Sequence, residues 1–431
     1  MRYLLLVIFS FFIISCGETT PIDTNNNPYV PTSDIIDNNI SALNMLNYIR
    51  VNAGMVALSN NSYLNNSAYN HAKYLDKNHL VGHYESDQYS YFTGVKPSNR
   101  TTYVGFKSTV VSENLSVGQS SEYYSLKGLM GAIYHRFGFL DFSINTIGYG
   151  KENLTYVYNM GNSDLNTLCE GTSYEQSGSY YEEICSDKSF KIKASIYESE
   201  ENKTINSNPS YVVYPYSNEV NVTTAFYDET PDPLPHYDVS GYPISIEFNE
   251  NEYNMSKFSI NSFIIYDDNN NVLDLAADYN DSNTILSKIN DNNIIYFNDY
   301  QFAIFPKNRL EYNKHYNVEF SYIYNGESKL IKWGFTTEKL DNMITYNNTT
   351  LNLNTYTKYY IYITPKDKND VYNRFSISCS YSSNSPSPKY EIDFFDKNTI
   401  SLKVSGDNVY SCDLTLNKDQ INENNINVNI N

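Results

Sequence analysis

Three residues in the first third of the chain could together support chemistry: His83, Glu113 and His135. Two neutral imidazoles and a carboxylate that converge on one cleft can bind a divalent metal such as zinc, with one position left open for water. Such a zinc ion would polarise a carbonyl group for hydrolysis. Alternatively, the carboxylate accepts an imidazole N–H and fixes its tautomer, or the trio forms a buried hydrogen-bonded network that stiffens the fold. The residue types alone leave these alternatives open.

Other catalytic patterns are absent from the sequence or incomplete. There is no Gly-x-Ser-x-Gly elbow and no phosphate-binding glycine loop. His79 and His83 are four residues apart but lack the Glu of a His-Glu-x-x-His motif, and Gly82 indicates that the helix ends before His83. Acidic residues lie among prolines at Asp228, Glu229, Asp232 and Asp238. Because their spacing is not that of a calcium loop, we interpret them as a solvated loop.

Two helices are predicted before the first of these residues. Apolar side chains recur at three-residue steps in the first helix, at Ile40, Leu43, Leu46 and Ile49. A second apolar face is formed by Leu64, Ala68, Ala72 and Leu75. This spacing is typical of amphipathic helices, Gly54 separates the two segments, and Asn61 or Ser62 can cap the second. From about Tyr156 onward the pattern changes to alternating strand-like runs.

Residues 43–162 resemble the SCP/CAP superfamily of cysteine-rich secretory, antigen and pathogenesis-related proteins. The resemblance rests on an ordered series of motifs: Leu46-Asn47-Tyr48-Ile49-Arg50 with Gly54, then Asn61, Leu64, Ala68, His71 and Ala72, then His83, Glu113-Asn114-Leu115 with Gly118, His135-Arg136 and Ile147-Gly148-Tyr149-Gly150. It implies an α-β-α sandwich with His83, Glu113 and His135 in its cleft. Many members carry a second Glu shortly before the second His, but residues 129–134 of this chain contain no carboxylate. A hydrolase mechanism therefore loses one candidate base.

The N-terminal segment is predicted to direct export rather than to form part of the fold. An apolar run from Leu4 to Ile14 is too short to span a bilayer, and it ends in Ile13-Ile14-Ser15-Cys16-Gly17, which resembles the lipobox of bacterial lipoproteins. The resemblance implies that residues 1–15 are a signal peptide and that Cys16 carries acyl chains, which would anchor the protein to a membrane. Residues 16–36 are polar and are interpreted as a flexible tether.

Export decides how the other four cysteines are interpreted. In an oxidising compartment the simplest pairing is two local disulfides, Cys169 with Cys185 and Cys379 with Cys412, although four cysteines allow three connectivities.

The composition limits the class of partner and the type of secondary structure. The net charge of −19 disfavours a nucleic-acid partner, which needs a basic surface, and 44 Tyr in 431 residues indicate strands.

The remainder of the chain is β-rich. Tyr211 to Pro215, Glu229 to Pro235, Gly241 to Ile244 and Trp333 to Thr337 form a series that resembles the Ig-like sandwich of some bacterial surface proteins. Alternation of Trp333 with Phe335 predicts a core face. The predicted fold is α+β: an α-β-α sandwich followed by two β-sandwiches. The predicted ranges are signal peptide 1–15, tether 16–36, SCP/CAP-like domain 37–163, disulfide-bearing connection 164–208, Ig-like sandwich 209–338 and C-terminal sandwich 339–431.

These features predict a membrane-anchored, extracytoplasmic lipoprotein that is not an enzyme. The family includes lipid and sterol binders, which implies a lipid-like ligand or a partner in the cell envelope or host, and a metal in the His/Glu cleft stays open. One alternative is a metal-dependent hydrolase that uses this cleft. The other is a surface adhesin or spacer in which the β domains carry the function.

Overall fold

The computed structural model describes residues 14–15, 40–171, 177–277, 284–288 and 297–431. The predicted signal peptide, Cys16 and the tether lie outside this range, apart from the two-residue strand at 14–15. Within the described ranges, no helix combines the length and the apolar character needed to cross a membrane.

The first domain is a five-stranded sheet with helices packed against it. Its strands follow the order β1-β3-β5-β4-β2 across the sheet, and they are β1 (Ile14–Ser15), β2 (Ser59–Asn60), β3 (Val111–Gly118), β4 (Thr146–Glu152) and β5 (Thr155–Gly161). The helices are α1 (Ala42–Asn52), α2 (Ser62–Asn78), α3 (Pro97–Tyr103), α4 (Glu122–Gly131) and α5 (Ile133–Phe139). This confirms the predicted α+β architecture.

Both predicted helices are present, and their ends follow the sequence signals. The side chain of Ser41 accepts a hydrogen bond from the backbone N–H of Asn44 at the start of α1. Asn61 caps α2 in the same way, and exposed His79 ends that helix in the left-handed conformation. Each cap satisfies a backbone group that a helix end leaves without a partner.

Helix α2 lies directly on strand β4 because the strand carries two glycines. A Cβ atom at Gly148 would lie 2.0 Å from the carbonyl carbon of Leu64, and one at Gly150 would lie 2.0 Å from the backbone nitrogen of Tyr69. These separations are far below a van der Waals contact. The Ile-Gly-Tyr-Gly motif therefore sets how closely the helix approaches the sheet that carries Glu113.

The connection after the first domain is itself folded. It contains α6 (Ser163–Leu168), β6 (Tyr180–Glu182), β7 (Lys191–Lys193) and α7 (Ala194–Asn206). Cys169 and Cys185 form the predicted disulfide, and Cys379 and Cys412 form the second, so both local pairings are confirmed. The backbone N–H of Thr109 donates to the carbonyl oxygen of Ile184, so the segment before Cys185 is bound to the first domain.

Two β-sandwiches complete the chain. The first pairs sheets β14-β12-β8 and β13-β15-β16-β9 beside a short β10-β11 ribbon, formed by β8 (Tyr211–Tyr214), β9 (Glu219–Val222), β10 (Ala225–Phe226), β11 (Ser240–Gly241), β12 (Ile244–Phe248), β13 (Phe258–Asp267), β14 (Gln301–Ile304), β15 (His315–Tyr324) and β16 (Glu327–Thr337). Trp333 and Phe335 lie in its core, as predicted.

The last sandwich pairs sheets β17-β19-β22-β21 and β18-β24-β23-β20. Its strands are β17 (Met343–Tyr346), β18 (Leu351–Leu353), β19 (Lys358–Ile363), β20 (Phe375–Tyr381), β21 (Lys389–Asp396), β22 (Thr399–Ser405), β23 (Val409–Leu416) and β24 (Asn424–Ile430). It is joined to the preceding sandwich by an ion pair, in which Nη2 of buried Arg309 lies 2.6 Å from Oδ2 of Asp396.

The first domain and the first sandwich share one hydrophobic core. The rings of Tyr48 and Tyr216 meet edge to face with centroids 6.5 Å apart. The hydroxyl of Tyr242 donates to the carbonyl oxygen of Met130 over 3.1 Å. These contacts join α1 and α4 to the first sandwich, so the two units pack as one body.

We expect Gly150→Ala to lower the free energy of unfolding by about 3 kcal/mol, because overpacking usually costs about 1–3 kcal/mol and a 2.0 Å approach to a backbone atom belongs at the top of that range. Gly171→Ala is the matched control, since its Cβ would meet only the carbonyl oxygen of Leu168 at 3.4 Å. Urea unfolding followed by the fluorescence of Trp333, the single Trp, measures both. Equal stability of the two variants would contradict this account of the motif.

Candidate functional site

The three predicted site residues are all buried, and different carboxylates contact the Nδ1 atoms of the two histidines. His83 lies in the loop after α2, Glu113 in β3 and His135 in α5. Nδ1 of His83 lies 2.9 Å from Oε1 of Glu113. Nδ1 of His135 instead lies 3.0 Å from Oε1 of Glu229, which belongs to the first sandwich. Each histidine is therefore held by its own carboxylate.

Glu113 is surrounded by hydrogen-bond donors. Nη2 of Arg100, from α3, lies 2.7 Å from both carboxylate oxygens of Glu113. In the orientation that satisfies its own partners, the amide of Asn159 donates to Oε2 of Glu113 over 2.9 Å. With the contact from His83, these donors occupy the four acceptor positions of the carboxylate. Sequence analysis did not single out Arg100, because no local pattern marks a buried arginine.

A second carboxylate–histidine pair lies behind the first. Nδ1 of His71 is 2.9 Å from Oε1 of Glu85, and its Nε2 is 2.8 Å from the carbonyl oxygen of Gly82. The Nη1 group of Arg100 donates to the carbonyl oxygen of His83 over 2.8 Å. These contacts fix the loop that carries His83 against helices α2 and α3.

The electrostatics of the network set the protonation of its members. Burial lowers the pKa of His83 to about 4, although the hydrogen bond and charge of Glu113 oppose this shift. Burial alone would raise the pKa of Glu113, but the charges of Arg100 and His71 outweigh it and lower that pKa to about 2. At neutral pH Glu113 is therefore ionised and His83 is neutral. The imidazole donates from Nδ1, which leaves the lone pair on Nε2.

Glu229 is not part of a solvated loop, so that prediction was wrong. Its side chain is buried, and its Oε2 accepts the backbone N–H of Ile133 over 2.7 Å. Its Oε1 accepts the N–H of Tyr134 over 2.9 Å as well as the contact from His135. Helix α5 has no capping side chain of its own. Glu229 therefore caps α5 from the next domain and supplies the carboxylate that residues 129–134 lack.

Sequence reasoning could not find this contact. Glu229 is separated from His135 by 94 residues, and its surroundings of Asp and Pro are typical of an exposed turn. The only local signal was the missing carboxylate before His135, which indicated a gap but not the residue that fills it.

The donor set does not fit a divalent metal ion in this cleft, which the sequence left open. The oxygens of Glu113 are occupied by Arg100, His83 and Asn159, and the positive guanidinium would repel a divalent cation. Among the described residues, no group of three His, Cys, Asp or Glu side chains is placed to hold a metal ion. The carboxylates accept hydrogen bonds from the imidazoles and are therefore not available as metal ligands. We derive no catalytic step from the cleft.

A cavity of about 360 Å³ opens beside this network, between the first domain and the first sandwich. Three aromatic residues line it, namely Tyr134, Phe137 and Phe297. Polar groups also line it, among them Glu113, Asn114, Asp141, Glu201 and Gln301. Its size and its mixture of apolar walls with a few polar groups are typical of a small-molecule site. Sequence analysis did not find it, because its walls come from segments far apart in the chain.

A comparison with known protein families matches the first domain. The sequence model of the cysteine-rich secretory protein (CAP) family matches residues 43–169. A crystal structure of an extracellular protein containing an SCP domain from Bacillus anthracis str. Ames is similar at 19% identity, with 28% of this chain and 39% of that chain covered and a TM-score of 0.26. This chain thus spans well under half of that protein.

Similarities in the β-rich part are weaker. An endo-fucoidan hydrolase of glycoside hydrolase family 107 is 10% identical, with 56% of this chain and 38% of that chain covered and a TM-score of 0.21. A titin fragment is 11% identical, with 50% of this chain and 96% of that chain covered and a TM-score of 0.16. Likenesses at this level establish no shared function. No curated protein matches the chain.

Residues 43–169 therefore form a domain of the cysteine-rich secretory protein family. In this chain the domain is followed by β-sandwiches. The family and the two disulfides indicate an extracytoplasmic protein.

We expect His83→Asn to make the protein less sensitive to moderate acid. In the wild type the unfolded chain takes up a proton at His83 below its usual pKa of 6.5, whereas the folded chain does so only near 4. Stability therefore falls as the pH drops from 6.5 to 4, by an amount on the order of 3 kcal/mol. Asn keeps an N–H donor for Glu113 but cannot titrate.

The free energy of unfolding, measured in urea at pH 7 and pH 4.5, tests this expectation. His79→Asn is the matched control, because His79 is exposed and Asn tolerates its left-handed conformation. The control should keep the acid sensitivity of the wild type. An unchanged pH dependence in His83→Asn would show that His83 is not the group responsible.

Proposed function

We propose that this protein is a membrane-anchored extracytoplasmic lipoprotein that binds a small amphipathic molecule and has no catalytic activity of its own. The observation that carries the proposal is the cavity between the first domain and the first sandwich. A cavity of about 360 Å³ is within the range of ligand sites. Its walls include residues of the CAP domain and of the β domain, so a ligand would contact both.

The hydrogen-bonded network supports a binding role over catalysis. Glu113 is ionised and fully engaged by Arg100 and His83, so it cannot accept a proton from a substrate without breaking the network. The same contacts make the wall of the cavity rigid. Rigid, preorganised walls reduce the entropy lost when a ligand binds.

Blocking the cavity tests the binding role. Ser112 lines it, and within the described residues its hydroxyl makes no hydrogen bond, so Ser112→Phe adds bulk there without removing a polar contact. We expect the neutral fluorescent probe N-phenyl-1-naphthylamine to bind the wild type and to bind Ser112→Phe at least about tenfold more weakly.

Ser376→Phe is the matched control for this experiment, because it places the same side chain at an exposed strand position in the last sandwich. It should bind the probe like the wild type. If the wild type does not bind the probe, or if Ser112→Phe binds it equally well, the cavity is not the binding site.

The membrane anchor rests on the sequence around Cys16 and has its own test. We expect the protein to pellet with bacterial membranes and Cys16→Ser to stay soluble, because a serine cannot carry the thioether-linked lipid and acyl chains drive membrane binding at about 0.8 kcal/mol per methylene. Thr19→Ser, three residues away, is the matched control. Equal membrane association of the two variants would contradict lipidation at Cys16.

A further inference from the structure

One edge of the last sandwich lacks the features that usually protect an edge strand. Among the described strands of this sandwich, the edges are β17, β18, β20 and β21. Strands β17 and β18 have only four and three residues, and β21 carries exposed charges at Lys389, Glu391 and Asp393. Strand β20 has seven residues without a charge or a proline. Because short length, charge and proline discourage pairing with another chain, β20 is the edge most open to it.

The backbone groups of β20 that point away from its sheet follow from its pairing with β23. Cys379 lies opposite Cys412 with the two Cα atoms 4.0 Å apart, which is the short spacing of an antiparallel pair that exchanges no backbone hydrogen bonds. The N–H and C=O groups of Cys379 therefore point outward. Those of Ile377 and Phe375 do the same, because the register is regular from Phe375 to Ser380. Among the described residues, these groups have no backbone partner.

The side chains on the inner face of β20 are only partly covered. Phe375, Ile377 and Cys379 pack against the core of the sandwich but stay half-buried. The ring of Phe375 meets that of Phe394 on β21 with centroids 5.4 Å apart, and Phe394 is half-buried as well. A strand added beside β20 would cover these apolar side chains and would also pair the outward backbone groups.

The sequence of β20 suits an antiparallel copy of itself. With a twofold axis at Ile377, this residue faces its own copy, and Phe375 of one copy faces Cys379 of the other, so the outward backbone groups of both chains meet. On the outer face, exposed Ser376 then lies opposite exposed Ser378, and opposed hydroxyl groups can form hydrogen bonds. No pair in this register brings like charges together, whereas the net charge of −19 makes two copies repel each other in general.

We propose that two copies of this chain associate through β20 and join their four-stranded sheets into one continuous sheet. This interface goes beyond the proposed binding function, because residues 339–431, which are all described, contribute nothing to the lining of the cavity. Pairing of a single strand buries less surface than a standard protein–protein interface, so we expect a dissociation constant on the order of 10 µM.

Sedimentation velocity of the full chain tests this interface. The measurement uses the Cys16→Ser background, so that acyl chains cannot cause association. The protein concentration runs from about 1 to about 100 µM, which brackets the expected dissociation constant. We expect a shift from monomer to dimer over this range, and a chain that stays monomeric throughout would overturn the proposal.

Two double variants at the same positions locate the contact. Ser376→Lys with Ser378→Lys places Lys opposite Lys in the dimer and should weaken it at least about tenfold. Ser376→Glu with Ser378→Lys places Glu opposite Lys at both contacts. This variant should dimerise at least as tightly as the wild type, which also shows that charged side chains at these positions are compatible with the fold.

Asn425→Lys with Asn427→Lys is the matched control for the added charge, because both residues are exposed on β24, two strands away from the edge. It should dimerise like the wild type. A dimer that is unaffected by the two lysines on β20, or that is weakened equally by the control, would overturn the assignment of β20. Equal weakening by both β20 variants would overturn the antiparallel register.

Discussion

The buried contact between Glu229 and helix α5 is the interaction on which the rest of the structure depends. One carboxylate accepts two backbone N–H groups at the start of α5 and the Nδ1–H of His135. Hydrogen bonds to a charged acceptor contribute about 1.5–3 kcal/mol each, and leaving such donors buried without a partner is costly. The CAP domain therefore completes one of its own helices only when the β domain is docked on it.

Arginine and aromatic contacts reinforce the same interface. Buried Arg136, the residue after His135, donates to Oγ of Ser245 over 3.0 Å, and its guanidinium lies 4.7 Å from the ring centroid of Tyr214. The apolar core continues across the boundary. The cavity follows from this arrangement, because Phe297 and Gln301 of the sandwich close the space that Tyr134 and Glu113 line from the other side. A CAP domain alone would leave this space open.

Features set by local sequence were predictable, and features set by docking were not. The periodicity of Leu64, Ala68 and Ala72 predicted α2, and the positions of the cysteines predicted both disulfides. His83 and Glu113 were recognisable because motifs surround them. Arg100 and Glu229 carry no such motif, and their contacts arise only when distant segments pack. From sequence alone, an isolated acidic residue near prolines, such as Glu229, is assigned to an exposed turn. Only the folded structure shows that it caps the start of α5.

Native-state hydrogen exchange of the full chain shows whether the first domain and the first sandwich unfold as one cooperative unit joined through α5. We expect amides in α5, such as that of Phe139, to exchange through the same opening, with the same free energy, as amides in the core strand β12, such as that of Ile246. If α5 exchanges through a lower-energy opening that leaves β12 protected, the two domains are separate cooperative units and the contact of Glu229 with α5 does not join them.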